Sequence, residues 1–239
     1  MSEPLHYQSL MSIAKQLRSK ELSARALTEH MLTRVDALYN ELLSYATVTP
    51  ELARAQAQQA DVEIQPGRYR GLLHGVPVAI KDLCYTAGIR TMGGLKVRQQ
   101  FVPEFNATIV RKLEDAGAVL LGKLNLTEGA LSAYNPEFPI PKTPWGKELW
   151  AWVSSSGSGV AVAAGLCFAA IGTDTGGSIR YPAMANGVTG LKPTYGRVSR
   201  HGVLALAESL DHVGPMARSV ADAVALYNGI AGYDENDQT

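Results

Sequence analysis

Apolar residues recur at spacings of three and four through Leu27, Met31, Val35 and Leu38, and Ser23 stands where the N-cap of that helix belongs. The pattern over residues 8–66 is helical apart from a short alternating run, Leu43–Thr49, which predicts a strand. Thr49-Pro50 has the form of an N-cap followed by proline at the first helical position. The alanine-rich run Glu51–Val62 follows and ends at Gln65-Pro66-Gly67. From about residue 71 glycine becomes frequent and β-branched runs appear. Val76–Ile80, Ala118–Leu121 and Cys167–Ile171 predict buried strands. Helices are expected at Ala107–Ala116, capped by Asn106 and stopped by Gly117, and at Val220–Ile230, capped by Ser219. Ser156–Leu166 is a small-residue helix that is apolar nearly all round, so it belongs deep in the core. Strand and helix in alternation predict a layered α/β fold. Tyr233–Thr239 is polar and has the look of a linker or frayed end.

The 239 residues, 46% of them hydrophobic, exclude wholesale disorder. Lys and Arg number 22 and Asp and Glu 22, a balance that argues against a nucleic-acid partner. The longest apolar stretch, Val160–Ile171, falls short of a membrane span. The opening residues, MSEPLHYQSL, lack a basic region followed by an apolar one, and the two cysteines, Cys84 and Cys167, lie in apolar surroundings. Buried free thiols and a cytoplasmic location are the expectation.

Three segments carry candidate chemistry. In Gly172–Arg180 (GTDTGGSIR) two adjacent glycines precede Ser178 and follow a predicted strand. Such a turn can aim successive N–H groups at one point, as a tetrahedral oxyanion beside a nucleophilic hydroxyl requires. A turn that only joins two elements is the alternative. Ser154–Gly159 (SSSGSG) runs straight into a buried helix, which sets it apart from a flexible linker. Gly75–Asp82 (GVPVAIKD) ends an apolar strand on Lys81. That lysine either snorkels to the surface or is desolvated and able to act as a base.

Together these segments resemble the amidase signature family. Ala107–Lys123, Ala183–Gly196 and Ser209–Ala217 are further family-like stretches, and the likeness runs from about residue 8 to Tyr233. The resemblance implies an α/β/α layered fold with a mixed sheet, shortened on its C-terminal side. Residues 1–70 are expected to form a helical segment packed on a partial core of residues 71–239, in one structural domain. It also implies roles. Ser178 matches the nucleophile, Ser154 the bridging serine and Lys81 the lysine of a Ser-Ser-Lys triad. Thr175, Gly176, Gly177 and Ser178 match the oxyanion amides. Asp174 and Arg180 match a structural pair, and Ser155 a supporting serine. The implied activity is hydrolysis of a small-molecule amide through an acyl-enzyme on Ser178, with no metal or organic cofactor and no membrane partner. The alternatives are a weakly active or inactive member with an assembly role, and a glutamine-dependent amidotransferase subunit.

Two features depart from the family pattern. Trp152 and Val153 stand where two glycines normally precede the bridging serine. A β-branched residue is strained at positive φ, so a loop needing that conformation at Val153 is expected to rearrange around Ser154. The family's domain is also considerably longer. An exposed sheet edge is therefore expected, covered by self-association or by a partner chain.

Other motifs carry less. Gly117–Leu124 approaches a phosphate-loop pattern, but its middle is a predicted strand and Leu124 has no hydroxyl for Mg²⁺. Gly157-Ser158-Gly159 lacks the third glycine of a dinucleotide fingerprint. Cys84 has no histidine partner, and strand alternation sends Asp82 to the face opposite Lys81. His6, His30, His74, His201 and His212 show no spacing that suggests a dyad.

Overall fold

The computed structural model describes residues 3–146 and 148–239. Its elements run α1 (Leu10–Ser19), α2 (Ala24–Leu42), β1 (Tyr45–Val48), α3 (Pro50–Ile64), β2 (Pro77–Lys81), α4 (Thr108–Asp115), β3 (Val119–Leu124), α5 (Ser156–Ala163), β4 (Ala169–Asp174), α6 (Arg180–Asn186), β5 (Thr189–Gly190), β6 (His212–Ala217) and α7 (Val220–Ile230). The six strands form one mixed sheet in the order β1-β3-β2-β4-β6-β5. β2 lies parallel to both β3 and β4, whereas β1, β5 and β6 pair antiparallel with their neighbours. The result is the α/β/α layered fold with α3 on β3, α5 across the sheet centre and α7 on β6. β2, β3 and β4 are buried along their whole length, as parallel strands covered on both faces must be.

Ser23 and Ser219 cap their helices as their positions predict, each accepting an amide at 3.1 Å, from Ala26 and Asp222. Thr49 and Asn106 do not. The Thr49 hydroxyl donates to the Leu120 carbonyl at 2.9 Å, and α3 starts on Pro50 without a side-chain cap. Asn106 accepts from the Ala87 amide at 2.7 Å and bonds Glu114, so α4 begins after Ala107. Both side chains are drawn to a neighbouring segment, a competition that local pattern does not display. Gly117 ends α4 at φ 73°, and a Cβ there meets the His74 ring at 2.3 Å, so the position needs glycine twice over.

β6 contains Gly214 and Pro215, residues that weaken a strand signal, and the sequence pattern misses it. The segment after Tyr233 is tied down rather than frayed. Asp234 accepts from Thr108 Oγ1 at 2.5 Å and Ser199 Oγ at 2.6 Å, and Asp237 accepts the Arg200 amide at 2.6 Å. The core is one continuous cluster in which Leu27, Met31 and Ala57 of the N-terminal helices meet Val78, Leu121 and Ile171 of the sheet.

Lys81 is the last residue of β2 and Asp174 the last of β4. The two strands are parallel neighbours, so their carboxyl ends open into the same space, where ligands of open α/β sheets bind.

Candidate active site

Lys81 is fully buried. Its Nζ donates to Ser154 Oγ at 2.7 Å, Thr173 Oγ1 at 2.8 Å and Ser155 Oγ at 2.9 Å. All of these partners are neutral hydroxyls. Burial lowers the Lys81 pKa to about 7, opposed by the carboxylates of Asp174 and Asp211 beyond the ring of hydroxyls. The amine therefore stands near the midpoint between its charged and neutral forms at neutral pH.

Ser155 fixes the serine loop against β4. Its hydroxyl donates to the Thr173 carbonyl at 3.1 Å and accepts the Thr173 amide at 3.2 Å, while its own amide donates to the Ser178 carbonyl at 3.2 Å. Because the Ser155 proton is committed to a carbonyl, a neutral Lys81 amine is left to accept a hydrogen bond from Ser154 or Thr173. The Val153–Ser154 peptide is cis, and Trp152 has φ 58°. The left-handed residue is thus Trp152, and Val153, where the sequence predicts strain, does not have positive φ. Trp152 is held between Trp150 and Tyr181, with ring centroids 4.6 and 5.2 Å away.

Asp174 organises the turn that carries Ser178. Its buried carboxylate accepts the amides of Gly177 at 2.7 Å, Ile179 at 3.1 Å and Arg180 at 3.3 Å. The Arg180 guanidinium closes on it from outside in a bidentate pair at 3.0 and 2.9 Å. Burial alone pushes this carboxyl upward. The guanidinium and the three amides outweigh it and hold the pKa below the usual carboxylate range. The Gly177 amide is thus engaged by Asp174 in this structure, while its expected place among the oxyanion amides stays a matter for the proposed mechanism. Among the described residues, the amides of Gly176 and Ser178 have no acceptor, and Gly176 is exposed.

Ser178 is half-buried, and among the described residues its hydroxyl has no hydrogen-bond partner. The structure brings Lys81, Ser154 and Ser155 into one network. It does not join Ser154 Oγ to Ser178 Oγ. A cleft of about 290 Å³ opens beside this network, walled by Thr173, Thr175, Asp211, His212, Arg200 and Leu204. Thr175 Oγ1 donates to Asp211 at 2.5 Å. Thr173 is the contact that sequence reasoning missed. It lies in the singled-out segment, but only the packing of β4 beside β2 reveals that its hydroxyl meets Lys81.

Cys84 and Cys167 are buried free thiols pushed up to about 12 by desolvation, as inert core cysteines are. Lys123 of the discounted phosphate-loop pattern lies in a buried strand, 3.5 Å from Asp82. Among the described residues no group of three or more His, Cys, Asp and Glu side chains is arranged to hold a metal, and no helix is long and apolar enough to cross a membrane.

The family model described as Amidase matches residues 26–239. Over 95% of this chain the sequence is 53% identical to AmiD of Mycobacterium tuberculosis, a protein whose name assigns it to the amidases, and covers 48% of it. It is 47% identical over 98% of the chain to a Glutamyl-tRNA(Gln) amidotransferase subunit of Nitrosococcus oceani, covering 49% of that protein. The native peptide amidase from Stenotrophomonas maltophilia superposes with a TM-score of 0.93 at 41% identity, over 98% of this chain and 50% of that one. The chain therefore spans about half the length of the curated relatives it matches, and it belongs to the amidase family.

Proposed function

We propose that the chain cleaves a carboxamide C–N bond through an acyl-enzyme on Ser178, with Ser154 as proton relay and Lys81 as base. The observation that carries this reading is the Lys81 environment: a fully buried amine, ringed by hydroxyls, with its pKa brought to about 7. A serine hydroxyl needs such a base near neutral pH. As Ser178 Oγ attacks the amide carbon, its proton passes to Ser154, whose own proton passes to the Lys81 lone pair. The oxygen of the tetrahedral intermediate is received by the free amides of Gly176 and Ser178, with Thr175 beside them. When the C–N bond breaks, the relay reverses and protonates the leaving amine. Water then attacks the ester on Ser178, using the same base, and releases the carboxylate. The Ser154–Ser178 hydrogen bond closes when substrate is bound, since catalytic hydrogen bonds lengthen in empty sites. Asp174 and Arg180 hold the turn, and Ser155 holds the loop. The reaction needs no metal or organic cofactor.

The test is intact-mass labelling with a fluorophosphonate. One adduct, lost in Ser178→Ala, is expected; a folded protein that takes no adduct overturns the reading. The likeness to a Glutamyl-tRNA(Gln) amidotransferase favours a second reading, in which the amide is that of glutamine and the ammonia goes to a partner chain. A panel of small amides against glutamine separates the two. The buried free thiols support a reducing, cytoplasmic setting. We also keep the expectation of a second copy or partner chain along the outer sheet edge, where β5 is only two residues long.

A further inference from the structure

Lys123 is a second fully buried lysine, and the reaction above does not use it. It stands on β3 in register with Ile80 of β2. Its Nζ donates to the Cys84 carbonyl at 2.7 Å and to Thr91 Oγ1 at 2.7 Å, and lies 3.5 Å from Asp82 Oδ1. Asp82 directly follows Lys81. Cys84 closes the turn, its amide donating back to the Lys81 carbonyl at 3.1 Å. One ammonium thus holds both the residue after Lys81 and the far end of the turn. The loop beyond completes the hold: the Met92 amide donates to Asp82 Oδ2 at 3.1 Å and the Gly93 amide to the Asp82 carbonyl at 2.8 Å. A buried ion pair adds little stability over apolar residues of the same volume, so stability alone does not account for this arrangement.

We infer that Lys123 is a positioning residue for Lys81: its ammonium pins the Asp82–Cys84 turn and so sets where the Lys81 amine meets Ser154. The inference rests on Lys81 acting as the base. The charged and titratable groups facing Lys81 are Cys84 from its own turn, Asp174 from the end of β4 and Asp211 from the segment before β6. Those facing Lys123 are Asp82 and Cys84, and Arg90 faces Asp82 from the following loop.

The test measures fluorophosphonate acylation of Ser178 against pH, together with thermal unfolding, on the protein at its natural length. Lys123→Met removes the nearer cation facing Asp82, whose charge lies one residue from Lys81, and leaves only Arg90 opposite it; the midpoint of the acylation profile is expected to move to higher pH. The decisive variant is Asp82→Asn with Lys123→Met, which removes both charges at nearly constant volume. It is expected to unfold close to the wild-type temperature while its acylation plateau falls about 100-fold, the usual penalty for displacing a catalytic group by about 1 Å. Thr91→Val frees one arm of the clamp without changing any charge and is expected to slow acylation about fivefold, the loss of one hydrogen bond. Wild-type rates and midpoint in whichever of these two variants folds overturn the inference and make the pair a structural filler. An unlabelled wild-type protein overturns the proposed function and this inference with it. Labelled wild type with equally fast variants overturns this inference alone.

Discussion

Lys81 and Lys123 lie at the carboxyl ends of adjacent parallel strands, and both are withdrawn from water, yet their surroundings differ in kind. Lys123 has a carboxylate, a carbonyl and a hydroxyl. Lys81 has three hydroxyls and no carboxylate in contact. Burial lowers both pKa values, and at Lys123 the Asp82 charge works against that lowering. A buried amine beside an anion is held as a cation, whereas one beside hydroxyls can shed its proton into a relay. The contrast separates a lysine paired with a carboxylate from one ringed by hydroxyls, as the proposed roles of clamp and base require.

The largest expected effect falls on activity. Lys81→Met is expected to lower the rate of Ser178 acylation by about 10⁴-fold, the upper end for loss of an acid–base group, in a protein that stays folded. Stopped-flow or quenched labelling measures it, and a loss under tenfold would erase the distinction between the two lysines. Stability should show the reverse order. Lys123→Met strands the Asp82 carboxylate and is expected to cost about 3–5 kcal/mol in urea unfolding, well beyond the cost of Lys81→Met.

The pH dependence sharpens the contrast further. The Lys81 pKa is about 7 in the fold and returns to its ordinary value in the unfolded chain. Between those values the unfolded state binds more protons, so this group's contribution to stability rises with pH. Wild type should gain on Lys81→Met by about 1.4 kcal/mol per pH unit as pH climbs from 7 toward 9. Acylation should rise through the same midpoint near 7, because only the neutral amine accepts a proton. A flat stability difference over that range would show that Lys81 is an ordinary solvated cation. The smallest effect concerns Trp152→Gly. Relief of the left-handed backbone and loss of ring stacking oppose each other, each worth about 1 kcal/mol, so unfolding should shift by less than that.

The strands that bear the site were legible in the sequence because burial on both faces writes continuous apolar runs, as at Val76–Ile80 and Cys167–Ile171. The fold and the family followed from those runs and the three quoted motifs. What escaped was decided by contacts across the chain. β6 is hidden by Gly214 and Pro215, and Asn106 is diverted from its cap by Ala87. Thr173 meets Lys81 only because β4 packs beside β2, and the Gly177 amide is taken by a carboxylate three residues before it. The Asp82–Lys123 pair joins residues far apart in sequence, although alternation already turns Asp82 away from Lys81.

All three tryptophans of the chain, Trp145, Trp150 and Trp152, belong to the segment leading into Ser154, and Trp145 is anchored to the Asn186 carbonyl at 2.8 Å. The indole emission of this chain of 239 residues therefore originates from the approach to its serine loop. Fluorescence, usually a blurred average over a molecule, becomes for these 239 residues a local optical gauge: a spectral shift on adding an amide or an inhibitor reports that one stretch of backbone, with no dye attached.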